Sequence, residues 1–240
     1  MGCFFQEDLS QNIFTLSQEE SKHIAKSLRL KPGDHIAITN GKGTLTKAVI
    51  TNLFKDSCTV EIVESVFHDS SALMNLHLAV APTKNPARME WLVEKAVEIG
   101  VSKITFINCD RSERKQMDLN RLHRIAVAAL KQSQGIWLPK MDTLTFSQFL
   151  KESKTITANK FIAYCEDTEL SIAISRVNIQ HNDVVFLIGP EGDFTPHEVS
   201  MAKENGFQPV SLGKIILRTE TAALFVTCWF ATKTDQSLPC

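Results

Sequence analysis

Apolar and polar positions alternate in the first part of the chain, a pattern that predicts short strands joined by tight turns. Residues 35–39 and 44–50 flank Asn40-Gly-Lys-Gly43, which is typical of a hairpin, and residues 59–66 form a further strand. Ser17-Gln-Glu-Glu20 fits a capping box before a short helix. Together these elements indicate a small β-barrel.

After a polar connector at residues 68–71, the pattern changes to alternating strands and helices. Apolar positions from Met89 to Val97 and from Leu122 to Leu130 recur at helical spacing. Gly100 is the expected C-cap of the first helix and Asn120 the expected N-cap of the second. Strands are predicted at residues 76–81, 103–108, 160–165 and 184–188. This order predicts an α/β fold with a mostly parallel sheet covered by helices on both faces.

The composition is that of an ordinary globular protein, with 43% hydrophobic residues and a formal net charge of −1. The apolar runs are too short to span a bilayer and the N-terminus does not read as a secretory signal, so we expect a cytoplasmic protein without membrane partners. Six scattered cysteines include no CxxC pair and the histidines occur singly, which argues against a metal site. Any nucleic-acid binding must therefore rest on a local basic patch.

The richest candidate loop leads from a buried strand into a helix, where ligands of parallel sheets bind. It reads Ile188-Gly-Pro-Glu-Gly-Asp-Phe-Thr-Pro-His-Glu198, with Thr195 as a helix cap and Pro196 at the first helical position. Its glycines allow a ligand to approach the backbone, and Glu191 offers a carboxylate to ribose hydroxyls. The alternative interpretation is an ordinary strand-to-helix turn.

A second loop, at residues 210–222, joins a strand to the last helix. Residues 215–217 are apolar, Thr219 is the expected N-cap and Glu220 lies in the first turn. An apolar loop beside polar helix-start groups suits a flat purine with a sugar, and the alternative is a capped helix after a core strand. Neither loop matches a classical dinucleotide or P-loop motif.

At these two loops the sequence resembles the uridine-N3 methyltransferases of 16S ribosomal RNA, family E, within the knotted SPOUT class. The resemblance spans roughly residues 5–232, and its two most specific pieces are Ile188-Gly-Pro-Glu-Gly192 and Leu212-Gly-Lys-Ile-Ile-Leu-Arg-Thr-Glu-Thr-Ala222. Weaker pieces in family order are residues 23–34, 81–84, 94–101, 110–112 and 132–133.

The resemblance implies a PUA-like, RNA-binding β-barrel at residues 1–70 and a SPOUT methyltransferase domain at residues 71–240 with a C-terminal trefoil knot. It also implies a homodimer that acts on 16S ribosomal RNA or the small ribosomal subunit, with S-adenosylmethionine as cofactor and no metal. The residues expected around the cofactor are Leu187, Gly189, Glu191, Gly192, Leu212, Gly213, Ile216, Leu217, Arg218 and Thr221.

Methylation of uridine N3 requires loss of its proton and a cation near the developing anion. Arg111 and Arg218 are the candidate cations, and Glu220 is a weaker candidate for the base or for holding Arg218. A basic patch around residues 110–115 could position phosphates, although a solvated helix face is the alternative. The expected RNA contacts are Arg29, Lys84, Arg111, Arg114, Lys115, Arg121 and Arg124.

Two departures from the family pattern stand out. Asp193 occupies the place of a second glycine, and because aspartate tolerates unusual backbone angles we expect cofactor binding to survive. Gln134-Gly135 stands where the family often has arginine, which removes one expected RNA contact. Three rival functions remain: a non-catalytic PUA-like RNA-binding protein, another nucleotide-using α/β enzyme that binds NAD or ATP, and a SPOUT methyltransferase acting on a different RNA.

Overall fold

The computed structural model describes residues 2–69, 74–113, 116–164 and 171–233. The chain forms two compact units, and each unit consists of two separate segments of the sequence. Unit 1 comprises Met1–Ser71 with Val127–Leu138, and unit 2 comprises Ala72–Ala126 with Pro139–Cys240.

Unit 1 contains a five-stranded sheet of order β1-β3-β4-β5-β2. Its strands are β1 (Cys3–Phe5), β2 (Ile13–Thr15), β3 (His35–Thr39), β4 (Thr44–Phe54) and β5 (Ser57–Phe67). β1 is parallel to β3, and the other pairs are antiparallel. The predicted hairpin of β3 and β4 is confirmed, and alternate residues such as Ile36, Ile38, Ile50 and Val60 form the core of the unit. The strands β1 and β2 were not predicted, because three residues are too few to show an alternation of apolar and polar positions.

The first helix of unit 1, α1 (Gln18–Lys22), begins as expected at Ser17, whose hydroxyl accepts a 3.3 Å hydrogen bond from the Glu20 amide. The predicted capping box also requires the Glu20 side chain to accept a hydrogen bond from the Ser17 amide, and this part of the prediction is wrong. The Glu20 carboxylate is buried and instead accepts a 2.6 Å hydrogen bond from Lys131 Nζ. An ion pair outweighs a local cap bond here because a buried carboxylate needs a counter-charge. The helix continues as a π-helical turn to Arg29, which has a positive φ of 54°.

Unit 2 contains a seven-stranded sheet of order β10-β12-β9-β11-β6-β7-β8, in which every pair of neighbours is parallel. The predicted parallel sheet is thus confirmed. Its strands are β6 (Asn75–Val80), β7 (Lys103–Asn108), β8 (Lys140–Thr145), β9 (Asn159–Ala163), β10 (Ile172–Ala173), β11 (Asp183–Ile188) and β12 (Gln208–Ser211). The trefoil knot implied by the resemblance stays a prediction.

Helices cover both faces of this sheet, as predicted. They are α2 (Pro86–Ile99), α4 (Phe146–Ser153), α5 (Pro196–Glu204) and α6 (Thr219–Ala231). A further helix, α3 (Leu119–Ser133), begins in unit 2 and ends in unit 1. α2 packs on α6, which lies against β6 and β11, whereas α4 and α5 pack on each other and on the strands β7, β8 and β12. The α4–α5 side buries Ala79, Val185 and Leu187, and strand alternation places their neighbours on the α2–α6 side.

Two caps differ in outcome. Gly100 ends α2 in the left-handed conformation, with φ 100°, as expected. The assignment of Asn120 as the N-cap of α3 is wrong, because the helix begins at Leu119 and the Asp118 carboxylate accepts a 3.0 Å hydrogen bond from the Arg121 amide. Among the described residues, no helix is both long and apolar enough to cross a membrane.

Candidate active site

The two candidate loops lie at the carboxyl edge of the parallel sheet. β6 and β11 are neighbours there, and the Ala81 amide extends their pairing with a 3.0 Å hydrogen bond to the Ile188 carbonyl. The chain then passes through residues 189–195 into α5, where Thr195 and Glu198 form a complete capping box and Pro196 takes the first position. The predicted cap at Thr195 is therefore confirmed.

The first loop is tightly folded by its own backbone. The Asp193 amide donates to the Pro190 carbonyl at 2.9 Å, and Asp193 has a positive φ of 59°. Its carboxylate accepts a 2.8 Å hydrogen bond from the Phe194 amide. A Cβ atom at Gly189 would lie 3.1 Å from the Phe194 ring, so a side chain there would force the ring to shift by a few tenths of an ångström. Aspartate is among the residues that adopt this conformation most readily, which is how the chain accommodates it in place of glycine.

Arg111 supports the first loop from the segment after β7. Its guanidinium Nη1 donates to the Gly192 carbonyl at 2.7 Å and to the Phe194 carbonyl at 3.5 Å. These contacts fix the position of the loop. They also engage the guanidinium that sequence analysis assigned to stabilising the transition state. Its catalytic role stays a prediction, whereas its contact with the first loop is a feature of the fold.

Glu198 is a buried carboxylate that sequence analysis missed. One oxygen accepts a 2.9 Å hydrogen bond from the Asp110 amide, and the other accepts a 2.8 Å hydrogen bond from the Thr195 amide. The side chain therefore connects the segment that carries Arg111 to the start of α5. The capping-box spacing from Thr195 to Glu198 was the signal that could have found half of this role.

The second loop follows β12 and carries two exposed apolar side chains. Gly213 has a positive φ of 139°, and Ile215 and Ile216 are 80% and 82% exposed. The prediction that Thr219 caps α6 is wrong: Arg218 occupies the N-cap position without a side-chain cap bond. The Thr219 hydroxyl instead donates a 2.9 Å hydrogen bond to the Gly189 carbonyl. The two candidate loops are thereby joined directly.

Arg88, in the first turn of α2, contributes a charge that sequence analysis also missed. Its Nη1 lies 3.6 Å from Glu191 Oε1, and its Nε lies 3.6 Å from Glu220 Oε1. Glu220 is 7% exposed, and its Oε2 has no hydrogen-bond partner among the described residues. Within that same part of the chain, Glu220 pairs with Arg88 and not with Arg218, contrary to one of the roles considered for it.

The other expected cofactor residues differ in exposure. Leu187 is fully buried in the core beneath α4 and α5, so neither its side chain nor its backbone is exposed. Leu212 and Leu217 are half-buried, whereas Gly192 and Thr221 are exposed.

The predicted RNA contacts are scattered over the surface. Lys84 forms a 3.0 Å ion pair with Glu113, and Arg121 Nε forms one of 2.7 Å with Glu90. Arg29 and Arg124 are exposed. Arg114 and Lys115 lie outside the described residues. The same described part of the chain contains no cluster of three or more His, Cys, Asp or Glu side chains that could hold a metal ion.

A cavity of about 530 Å³ lies beside the first loop, at the carboxyl ends of β7 and β8. Its lining includes Asn108, Asp110, Phe146, His197 and Met201. Beneath it, burial raises the pKa of the Cys109 thiol, so this cysteine stays protonated and unreactive at neutral pH. The cavity combines one apolar wall with polar groups, as ligand sites commonly do.

Comparison with known proteins gives a consistent result over nearly the whole chain. A family model described as an RNA methyltransferase domain matches residues 70–231, and one described as an RNA methyltransferase PUA domain matches residues 16–63. Ribosomal RNA small subunit methyltransferase E of Mesomycoplasma hyopneumoniae is 30% identical over 234 residues, which cover 94% of this chain and 97% of the relative.

Two solved structures extend the likeness to the fold. A probable rRNA methyltransferase from Porphyromonas gingivalis is 37% identical with a TM-score of 0.89, over 97% of this chain and 98% of the other. Ribosomal RNA small subunit methyltransferase E from Neisseria gonorrhoeae, solved with S-adenosylmethionine bound, is 27% identical with a TM-score of 0.84, over 99% of this chain and 100% of the other.

Proposed function

The chain belongs to the ribosomal RNA small subunit methyltransferase E family, and from this premise we propose that it methylates N3 of a uridine in 16S ribosomal RNA with S-adenosylmethionine. The observation that carries the proposal is the hydrogen bond from Thr219 to Gly189, which joins the two family loops at the carboxyl edge of the sheet. A parallel sheet presents its ligand site at this edge.

The residues of the two loops fit the proposed cofactor. Ile215 and Ile216 leave two large apolar side chains almost fully exposed, which suits the face of an adenine ring. Glu191 places a carboxylate beside the first loop for ribose hydroxyls, and the positive φ of Gly213 exposes backbone groups of the second. When bound, S-adenosylmethionine supplies the methyl group on a sulfonium centre. In the proposal, the ten cofactor-binding residues expected from the sequence surround it, with the buried Leu187 beneath the first loop.

In the proposed reaction, the protein removes the N3 proton and stabilises the resulting uridine anion. Glu220 is the proposed proton acceptor, since Oε2 is buried without a hydrogen-bond partner among the described residues. Arg218, exposed at the start of α6, is the proposed cation for the anionic oxygens of the base. Arg111 acts through the Gly192 carbonyl by holding the loop, in addition to any contact with RNA.

The RNA substrate is proposed to be recognised by unit 1 and by the surface around the site. Family resemblance of residues 16–63 to the PUA domain of RNA methyltransferases supports this division of labour. The cavity beside Asp110 is large enough for an unstacked base, and folded RNA is commonly recognised through such bases. Arg29 and Arg124 are exposed for phosphate contacts. In this proposal, the protein works in the cytoplasm, on 16S ribosomal RNA or the assembled small subunit.

A homodimer is part of the proposal, and α6 supports it. After its polar first turn the helix is mostly apolar, and Phe225 is 42% exposed with Cys228 exposed one turn further along. A mostly apolar helix is normally buried on every side. A second copy of the chain, docked on the face of α6 that carries Phe225 and Cys228, would cover these exposed side chains.

The test uses small subunits and naked 16S ribosomal RNA from a strain that lacks the gene. Purified protein and S-adenosylmethionine with an isotope-labelled methyl group are added, and the digested RNA is examined by mass spectrometry. We expect the label in one N3-methyluridine, and a large loss of label with Glu220→Gln. Tight cofactor binding without any label would indicate a non-catalytic RNA-binding protein, and label in another nucleoside or another RNA would indicate a different substrate.

A further inference from the structure

Arg88 lies between two carboxylates that come from different parts of the chain. Its guanidinium is 3.6 Å from Glu191, on the first loop, and 3.6 Å from Glu220, in the first turn of α6. Asn85 caps α2 three residues earlier, so Arg88 stands at a rigid helix start rather than on a loop. Its side chain is one-third exposed, which places the guanidinium at the edge of the site.

The environment of Glu220 makes this contact important. The residue is 7% exposed, and burial disfavours an ionised carboxylate unless an opposite charge lies nearby. Arg88 from α2 supplies that charge at Oε1. Glu191, on the first loop, shares the same guanidinium. One guanidinium therefore serves two carboxylates.

We propose that Arg88 is the positioning residue that holds Oε1 of Glu220 and leaves Oε2 as the proton acceptor for the substrate N–H. This inference rests on the proposed function and extends it to a residue outside both family loops. In the balanced step, the N3 proton moves to Oε2 while N3 forms its bond to the methyl carbon. The sulfur–carbon bond breaks at the same time, and its electron pair stays on sulfur.

A positioning role makes the effect of Arg88 depend on Glu220. Arg88→Gln leaves Oε1 of Glu220 without its partner, so proton transfer to Oε2 is slowed. In a protein that already carries Glu220→Gln there is no carboxylate to position, so Arg88→Gln should then have little further effect on kcat. A purely structural arginine would lower kcat equally in the two backgrounds.

The first measurement is kcat for methyl transfer to ribosomal RNA in wild type, Arg88→Gln, Glu220→Gln and the double variant. We expect kcat to fall about tenfold or more in Arg88→Gln, within the range typical of lost proton-transfer catalysis, and to fall little further when Arg88→Gln is added to Glu220→Gln. Arg88→Lys keeps the charge and should restore part of kcat. Lys95→Gln, which removes an ion pair elsewhere on α2, is the matched control and should leave kcat unchanged.

The second measurement is the affinity of the free protein for S-adenosylmethionine. For Arg88→Gln, calorimetry should show a Kd within about threefold of the wild-type value, a small change on the scale of about 1.4 kcal/mol for tenfold. The loss should therefore fall on kcat and not on cofactor binding.

A kcat that falls by the same factor when Arg88→Gln is made in wild type and in Glu220→Gln overturns the role of Arg88, as does a weakened cofactor affinity that accounts for the whole fall in turnover. A wild-type protein that methylates no ribosomal RNA overturns the proposed function itself. The two failures are distinguishable, because the first is measured against an active wild-type protein.

Discussion

The hydroxyl of Thr219 donates a 2.9 Å hydrogen bond to the carbonyl oxygen of Gly189, across 30 positions of the chain. The donor is the first residue of α6, and the acceptor directly follows β11. Because Thr219 is 3% exposed, water cannot readily replace this bond. The conformation of each loop is therefore linked to that of the other.

Removal of this hydroxyl should loosen both loops at once. Thr219→Val keeps the shape of the side chain but leaves the Gly189 carbonyl without its donor, so we expect a loss of about 1–2 kcal/mol in unfolding free energy. S-adenosylmethionine should bind about tenfold more weakly, because the loops must be reordered on binding. Urea denaturation and calorimetry measure the two effects.

Thr227→Val is the matched control, since Thr227 donates to the Ala223 carbonyl within α6 at 2.8 Å. It should lower stability to a similar extent without changing cofactor affinity. Wild-type affinity in Thr219→Val would show that the link between the loops has no part in binding.

Glu198 should be one of the more sensitive positions in unit 2. Glu198→Ala leaves the Asp110 and Thr195 amides without their acceptors in a buried setting, so we expect a loss of about 2–4 kcal/mol. Glu198→Gln keeps one acceptor oxygen and should cost roughly half as much. Glu204→Ala, on the exposed side of the same helix, should change stability by less than about 0.5 kcal/mol. Equal stability of the alanine variants at 198 and 204 would contradict the anchoring role.

The stability of the protein should decline in mildly acidic solution because of His77. Burial, with a smaller contribution from Lys103, lowers the pKa of His77 from 6.5 to about 4. The unfolded chain takes up a proton near pH 6.5, whereas the folded protein does so only near pH 4. The stability is therefore complete above pH 6.5 and falls between pH 6.5 and 4, by at most about 3 kcal/mol.

This decline is measured by urea denaturation at a series of pH values in wild type and in His77→Gln, which can still bond to the Thr105 hydroxyl now 2.7 Å from the imidazole. The variant should lose most of the slope between pH 6.5 and 4. His123→Gln, on the exposed side of α3, should keep it. An unchanged slope in His77→Gln would assign the pH dependence to other groups.

The proposed dimer should depend on the face of α6 that carries Phe225 and Cys228. Phe225→Glu places a charge in the proposed interface, where an unpaired buried carboxylate is strongly unfavourable, and should convert dimer to monomer at micromolar concentration. Sedimentation velocity measures the change. Phe54→Glu, at a phenylalanine that is 68% exposed in unit 1, should leave the oligomeric state as it is in wild type. A wild-type protein that sediments as a monomer would remove the dimer from the proposal.

The spacing of apolar residues located most of the elements of unit 2, because the buried side of a long helix and the whole of a buried strand are visible as apolar positions in the sequence. It missed α4 and β8, where the apolar positions are few and mixed with polar ones. At the caps, residue preference favoured Thr219 over Arg218, yet the threonine hydroxyl makes a tertiary bond that no local pattern reveals. The same reason explains Glu20, whose partner Lys131 is distant in sequence.

The site was predictable where it consists of continuous segments. Both loops were identified from their own residues, and the fit of Asp193 followed from its tolerance of a positive φ. Arg88 was not predictable, because its importance arises only when α2 meets two carboxylates brought by β11 and α6. Geometry between elements that are far apart in sequence cannot be derived from the pattern of any one of them.

The division of α3 has a consequence for protein synthesis. Residues 127–138 belong to unit 1, although a long stretch of unit 2 precedes them in the chain. They bring Lys131 to Glu20 and pair Trp137 with Lys42, so the amino-terminal part lacks these partners while it emerges from the ribosome. Translation must reach Leu138 before unit 1 can be completed. A fragment that ends at residue 71 would lack residues 127–138 and could not complete unit 1. A recombinant fragment that folds as unit 1 would need residues 127–138 joined to residues 1–71.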